Sequence, residues 1–500
     1  MSRSLKIIDN GLLINCRNKN QYSLSDYEEI SSFDSKSALL NSEMFFGNKK
    51  KPPAPITRIP EAPNVDDHIK KEIPTSYFQS FIHLLKGNIG PGLFAMGFAF
   101  MHGGLLVAPI LTVLIALVSI HCQHMLINSS IKMKTLRNAE KYPDFAETIE
   151  QCFEMGPTAT QRLSRTMKML VNLFICVTQL GFCCIYFVFI STNVKQILLA
   201  YDIHLDVHYV MLITFVPIWL SSMITNLKYL TPVSFIANIC MICGLSITMY
   251  YGLKDGLPEI GDRKLYTTPM DLALYFGTAI FAFEGIALVL PLKNAMANPH
   301  NFDRPMGVLN VGMFFVTLMF MTAGFVGYSK WGDDVAGSLT LNLGDTIGAQ
   351  IVKAMVSMGV LFGYPLQFHI AIQIMLPTVI ETFKCYNHSL AANLTFRTFM
   401  VVVTLGIAEL VPNLGLFISL IGSLCSTALA LVFPPIIELI VKRDISSTCS
   451  RYMMYLKNTI ILVLAFAGFL AGTYESLSEI IKEFGSEVKT TDSVLVDSNS

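Results

Sequence analysis

A histidine and a glutamate carry most of the chemistry that this sequence offers away from water. His83 lies in the first long apolar run, and Glu284 is the carboxylate at the centre of a later one, Phe276-Gly277-Thr278-Ala279-Ile280-Phe281-Ala282-Phe283-Glu284-Gly285-Ile286. Histidine ordinarily titrates between pH 5 and 8, which suits it to carry a proton. An acid inside a membrane run is costly and is usually functional, as an ion-coupling group or as a gate that pairs with a cation. Backbone near both is ill suited to an unbroken helix. After His83-Leu84-Leu85-Lys86 comes Gly87-Asn88-Ile89-Gly90-Pro91-Gly92, where Pro91 lacks an N–H and the glycines weaken a helix. Backbone groups left unpaired at membrane depth survive only against protein or a polar cavity. The run therefore reads as two half-helices around an unwound centre. Half-helix N-termini suit a carboxylate and half-helix C-termini suit an ammonium, so a zwitterionic amino acid fits both. Pro91 cannot donate, which leaves Asn88, Ile89, Gly90 and Gly92 as backbone donors, and Phe281 and Phe283 are candidate walls.

The elements that must hold these groups are membrane helices. Of 500 residues 52% are apolar and 14% charged, and the mean hydropathy is +0.52. Soluble domains carry about 25% charged residues. Net charge is zero, which gives no hint of nucleic-acid binding. The first run covers roughly 78–104, and ten more of membrane length follow near 105–127, 167–193, 207–226, 232–252, 270–292, 306–328, 347–376, 395–411, 414–441 and 457–474. Eleven spans are expected, within a transporter domain covering 73–476. Residues 1–72 are polar, with Lys49-Lys50-Lys51 near their end, and read as a disordered tail. Residues 477–500 read as an acidic tail.

Lys and Arg set the orientation. With the N-terminus cytoplasmic, the inner loops and helix ends hold about 16 of them and the outer loops about five. The C-terminus is then extracellular or luminal. Asn128, Asn387 and Asn393 head sequons on the inner side and are expected to stay unglycosylated. The eleven cysteines read mostly as small apolar core residues, as does the membrane-embedded Cys240-x-x-Cys243. His121, His124 and His369 read as hydrogen-bonded core groups. No metal cluster, phosphate loop or nucleophile–base motif stands out, so neither a cofactor nor an enzyme is expected.

The Glu284-Gly285 centre lies five spans after the first break, as an inverted repeat requires. The repeats would be about 75–253 and about 268–441, with the span 457–474 appended. The segments His83 to Gly92, Gln179 to Tyr186, Phe276 to Gly285 with Val289-Leu290-Pro291-Leu292, and Val411 to Ser419 together resemble the proton-coupled amino acid transporter family of the amino acid/auxin permease group; the divergent parts suggest an insect-type member. That resemblance implies an all-α polytopic membrane protein with a leucine-transporter-type 5+5 core, whose first and sixth helices are broken. It also implies symport of small neutral amino acids of the alanine, glycine and proline type with protons, in the plasma membrane or a lysosomal or late endosomal one. His83 takes the place of the coupling histidine, and substrate would be held at Gly87 to Gly92 and Phe281 to Gly285. Pro91, Gly97 and Lys293 depart from the usual threonine, proline and glutamate, and outer-loop cysteines are missing. A proton-independent transporter and a nutrient sensor signalling through the N-terminal tail stand as the rival readings.

Overall fold

The computed structural model describes residues 74–225, 227–258, 260–383, 389–411, 413–443 and 447–497. The tail 1–72 lies outside them, as do Asn387, His388 and Pro412. The described residues are helical, apart from turns and one isolated bridge between Thr75 and Met296.

The first apolar run is built in three pieces: α1 (Tyr77–Asn88), α2 (Pro91–Phe94) and α3 (Met96–Gly103). Ser76 and Gln79 close a capping box at the start of α1, and Gly104 ends α3 with φ at +79°. The helices α4 (Val107–Arg137), α5 (Phe145–Glu154), α6 (Thr158–Gln161), α7 (Ser164–Leu199), α8 (Val207–Ser222) and α9 (Leu227–Leu253) follow. Then come α10 (Pro269–Ala282), α11 (Ile286–Ala295), α12 (Val308–Trp331), α13 (Ile347–Phe383) and α14 (Ser389–Leu410). Last are α15 (Leu414–Ile421), π-helical turns at Gly422–Ser426 and Ala428–Val432, α16 (Phe433–Val441) and α17 (Thr448–Asp497).

Among the described residues, nine helical stretches are long and apolar enough to cross a membrane, with α10 and α11 counted as one and α15 and α16 as one. The shorter α8 carries Pro217 and ends at Ser222, short of the 226 expected. Several helices outrun their apolar stretches. Above all, α17 continues to Asp497, through residues expected to form a separate tail. An amphipathic helix extends past the hydrocarbon where a polar face meets water, so hydropathy alone understates its length.

The most enclosed spans are α7, the α10–α11 pair and the α15–α16 pair, whereas α9, α14 and α17 face mostly outward. α7 runs along α13, with Phe187 edge-on to Tyr364 at 5.8 Å. At the end where α1 starts, α5 buries Phe145, Ile149, Cys152 and Phe153 beneath a capping box of Asp144 and Glu147. Near it, Thr75 bonds Ala295 and Ala297, and Asn294 exchanges two bonds with the Tyr142 backbone. Lys293, fully buried, donates to Asp303 at 2.5 Å and lies 5.1 Å from the Tyr142 ring. Removing one partner of a buried pair strands the other charge, at about 3–5 kcal/mol. Asp303→Ala is thus expected to lower the melting temperature of the purified protein, and adding Lys293→Met is expected to restore most of the loss. Equal melting of the single variant and wild type would refute it.

Candidate functional site

Both interrupted runs open at the same depth and touch. The α1 helix closes with the Ile89 N–H bonded to the Leu85 carbonyl at 2.9 Å, and Gly90 is extended. Pro91 then starts α2 at the first helical position, where a missing N–H costs nothing. On the other side α10 ends at Ala282, and α11 begins after Gly285. A Cβ on Gly92 would lie 2.9 Å from the Ala282 Cα, and one on Gly285 would lie 3.3 Å from the Asn88 Oδ1. Glycine is what lets these two backbones meet.

Between them is a cavity of about 40 Å³, lined by residues 86–92, Phe281, Ala282 and Glu284, with Phe182 and Tyr186 of α7 and Gln367 of α13. It adjoins a larger cavity of about 340 Å³ that runs along α1 past His83 and Ile82, and along α11 past Leu288 and Leu292. Toward the opposite end, α3 and α12 pack closely, with the Gly97 Cα 3.2 Å from where a Cβ on Gly327 would lie. Leu339 is fully buried, and its side chain occupies the space where Gly97 and Gly327 lack a Cβ.

Each expected site residue has a definite place. Gly87, Asn88, Ile89, Gly90, Gly92, Phe281 and Glu284 all border the small cavity. The break itself is narrower than the sequence suggests, because Gly87 and Asn88 belong to α1. As donors, Ile89 is corrected: its N–H is spent within α1, so Gly90 and Gly92, before and within the first turn of α2, are the free-facing pair. The Asn88 amide donates to the Leu84 carbonyl at 2.9 Å, and its buried Oδ1 has no partner. Phe281 stacks edge-on to Phe182 at 4.8 Å. Phe283 does not line the cavity; its ring turns to Phe320 at 4.9 Å. Gly285 faces Asn88 rather than the cavity. Glu284 is 5% exposed, lies against Ser426, and keeps Oε2 without a hydrogen bond. His83 is exposed and stands on the wall of the larger cavity, near Lys86.

Sequence reasoning missed Phe182, Tyr186 and Gln367. Tyr186 lies in a segment that was noticed only as a motif. Gln367 had one signal, an amide two residues after Pro365 in an apolar run. The other intramembrane histidines are engaged: His124 with Asn310 at 2.8 Å, His369 with Arg397 at 3.0 Å and His121 with Lys457 at 2.8 Å.

Fold and cavity together define a polytopic helical membrane protein whose buried polar chamber lies where two interrupted helices meet. The family model described as transmembrane amino acid transporter protein matches residues 74–478. The chain belongs to that family. It is 35% identical, over 82% of its length and 86% of the relative, to the proton-coupled amino acid transporter-like protein pathetic of Drosophila melanogaster. It is 25% identical to the probable amino acid transporter skat-1 of Caenorhabditis elegans, over 81% and 90% of the two chains. Among solved structures, a manganese transporter of Eremococcus coleocola aligns with a TM-score of 0.34 and 11% identity over 81% of this chain and 95% of that one, a likeness too loose to carry an argument.

Proposed function

We propose that the protein is a secondary active symporter that moves small neutral amino acids together with protons by alternating access. On this reading eleven spans form a leucine-transporter-type pair of inverted repeats plus one, with the N-terminus cytoplasmic. The observation that carries it is the small cavity between the two breaks. Its lining combines Gly90 and Gly92 at the start of α2, the closing residues of α1 and Glu284. A substrate carboxylate and ammonium find complementary ends there. The proton-coupled name of the fly relative supports the driving ion. The larger cavity beside α1, on the side where α1 starts, fits an inward-facing state.

His83 carries the coupling proton in this scheme. Protonated His83 and an occupied site together favour closure, since two ligands that prefer one state help each other bind. Uptake of labelled alanine, glycine and proline at about pH 5.5 and about pH 7.5 brackets the ordinary histidine range. Uptake that rises in acid, and falls in His83→Ala at equal surface abundance, is expected. Acid stimulation untouched by the substitution would move the proton to Glu284, and pH-independent uptake would sink symport.

A further inference from the structure

The opposite end of the two interrupted runs holds a second titratable contact. His102 is in the last turn of α3, and Asp271 is in the first turn of α10. They are the far ends of the same two runs whose breaks border the small cavity. The His102 Nδ1 lies 3.4 Å from the Asp271 Oδ1, with the histidine side chain 17% exposed and the aspartate 39%. Asp271 keeps that oxygen for the histidine, because its Oδ2 accepts from the Thr268 hydroxyl at 2.7 Å and the Thr268 N–H at 3.3 Å. The imidazole is held in place by an edge contact with Phe98 at 4.6 Å, and the Thr267 hydroxyl donates to the His102 carbonyl at 2.5 Å. Both side chains line an open cavity of about 650 Å³, so solvent protons reach them.

The other charged or titratable groups facing His102 are few. Lys264 and Tyr266, from the segment before α10, line the same cavity, and Asp333 comes from the turn after α12. Asp333 bonds Lys264 at 3.0 Å and holds that ammonium above its usual range, so it stays charged while a histidine titrates. Glu479 of α17 reaches His102 by its field and is paired with Lys482 at 2.5 Å. Among the described residues, Asp271 is thus the one acid in direct contact.

We infer that His102 and Asp271 form a proton-binding latch between the two interrupted runs, reached from the side opposite the His83 cavity. At 3.4 Å the contact is long; a protonated imidazole makes a shorter, charge-assisted bond to a carboxylate. Protonation therefore draws the ends of α3 and α10 together and favours the state in which that side is shut. A proton that binds one state better shifts the population toward it. The latch rests on the symport reading, and in its orientation the proton comes from outside.

The experiment is initial uptake of labelled alanine across external pH at fixed internal pH, comparing wild type with His102→Gln, His102→Lys and Asp271→Asn. Wild type is expected to be stimulated by external acid, and each variant to lose about threefold or more of that stimulation, the scale of one part-exposed pair. Glutamine leaves the latch loose at every pH and lysine keeps it charged at every pH. Both flatten the profile, an outcome that general damage would not produce. A wild-type profile in any variant that reaches the surface would overturn the latch and leave symport standing. A flat wild-type profile would overturn both.

Discussion

Glutamine in place of Glu284 is expected to weaken substrate binding by about tenfold to a hundredfold, the 1.5–3 kcal/mol carried by a hydrogen bond to a charged group. Glu284 is 5% exposed and its Oε2 has no hydrogen-bond partner. A buried carboxylate without a partner is unfavourable, and it persists where a ligand or proton neutralises it. The neighbouring backbone fixes its position, with the Glu284 N–H bonded to the Phe281 carbonyl at 3.2 Å. Glutamine keeps the shape and removes the charge. The variant should therefore melt no lower than wild type in detergent while its apparent KM for alanine rises. A rise in KM with unchanged melting separates loss of a ligand contact from misfolding. If KM and maximal rate both match wild type, the ammonium is held by the α1 carbonyls alone and Glu284 has another task.

How much of this was legible in the sequence depends on the kind of signal. Gly87, Gly90 and Pro91 announce a break because they act through their own backbone, and the break falls at Ile89–Gly90. Glu284 announces itself because a carboxylate in an apolar run needs a reason. The α7 and α13 contributions were silent. Tyr186 and Gln367 have ordinary polar side chains, and only the packing of α7 against α13 decides that they face the cavity. Phe283 shows the same limit in reverse. It lies two residues from Phe281, yet α10 has ended there and its ring points to α12. Helix ends are hard to place from sequence for a related reason. Hydropathy marks the apolar part of α17, whereas the helix itself continues to Asp497. The Lys293–Asp303 pair was half legible: the cation was visible as a departure, and its acid ten residues on was not.

Valine in place of Gly422 is expected to abolish accumulation of folded protein. Gly422 opens the first π-helical stretch, where α15 gives way toward α16. A Cβ built there would run into the Gly277 carbonyl oxygen and come within 2.9 Å of the Phe281 Cβ. Facing it, a Cβ on Gly277 would run into the Ser419 carbonyl and side chain. The two helices thus cross through bare backbone on both sides. Overpacking usually costs about 1–3 kcal/mol, because a flexible neighbour swings away. Here the obstacle is a carbonyl inside a helix, so relief requires moving α10 and with it Phe281 of the cavity. Alanine should already lower the melting temperature, and valine should drive the protein into degradation. Gly406→Ala in α14 is the control: nothing lies within 4 Å of that position, and alanine favours a helix by about 1 kcal/mol over glycine. The expected order of abundance is Gly406→Ala at or above wild type, then Gly422→Ala, then Gly422→Val. A valine variant that accumulates and melts like wild type would mean the two helices do not approach through Gly277 and Gly422. Reduced uptake per folded molecule in Gly422→Ala would show that this crossing also sets the position of Phe281 at the cavity.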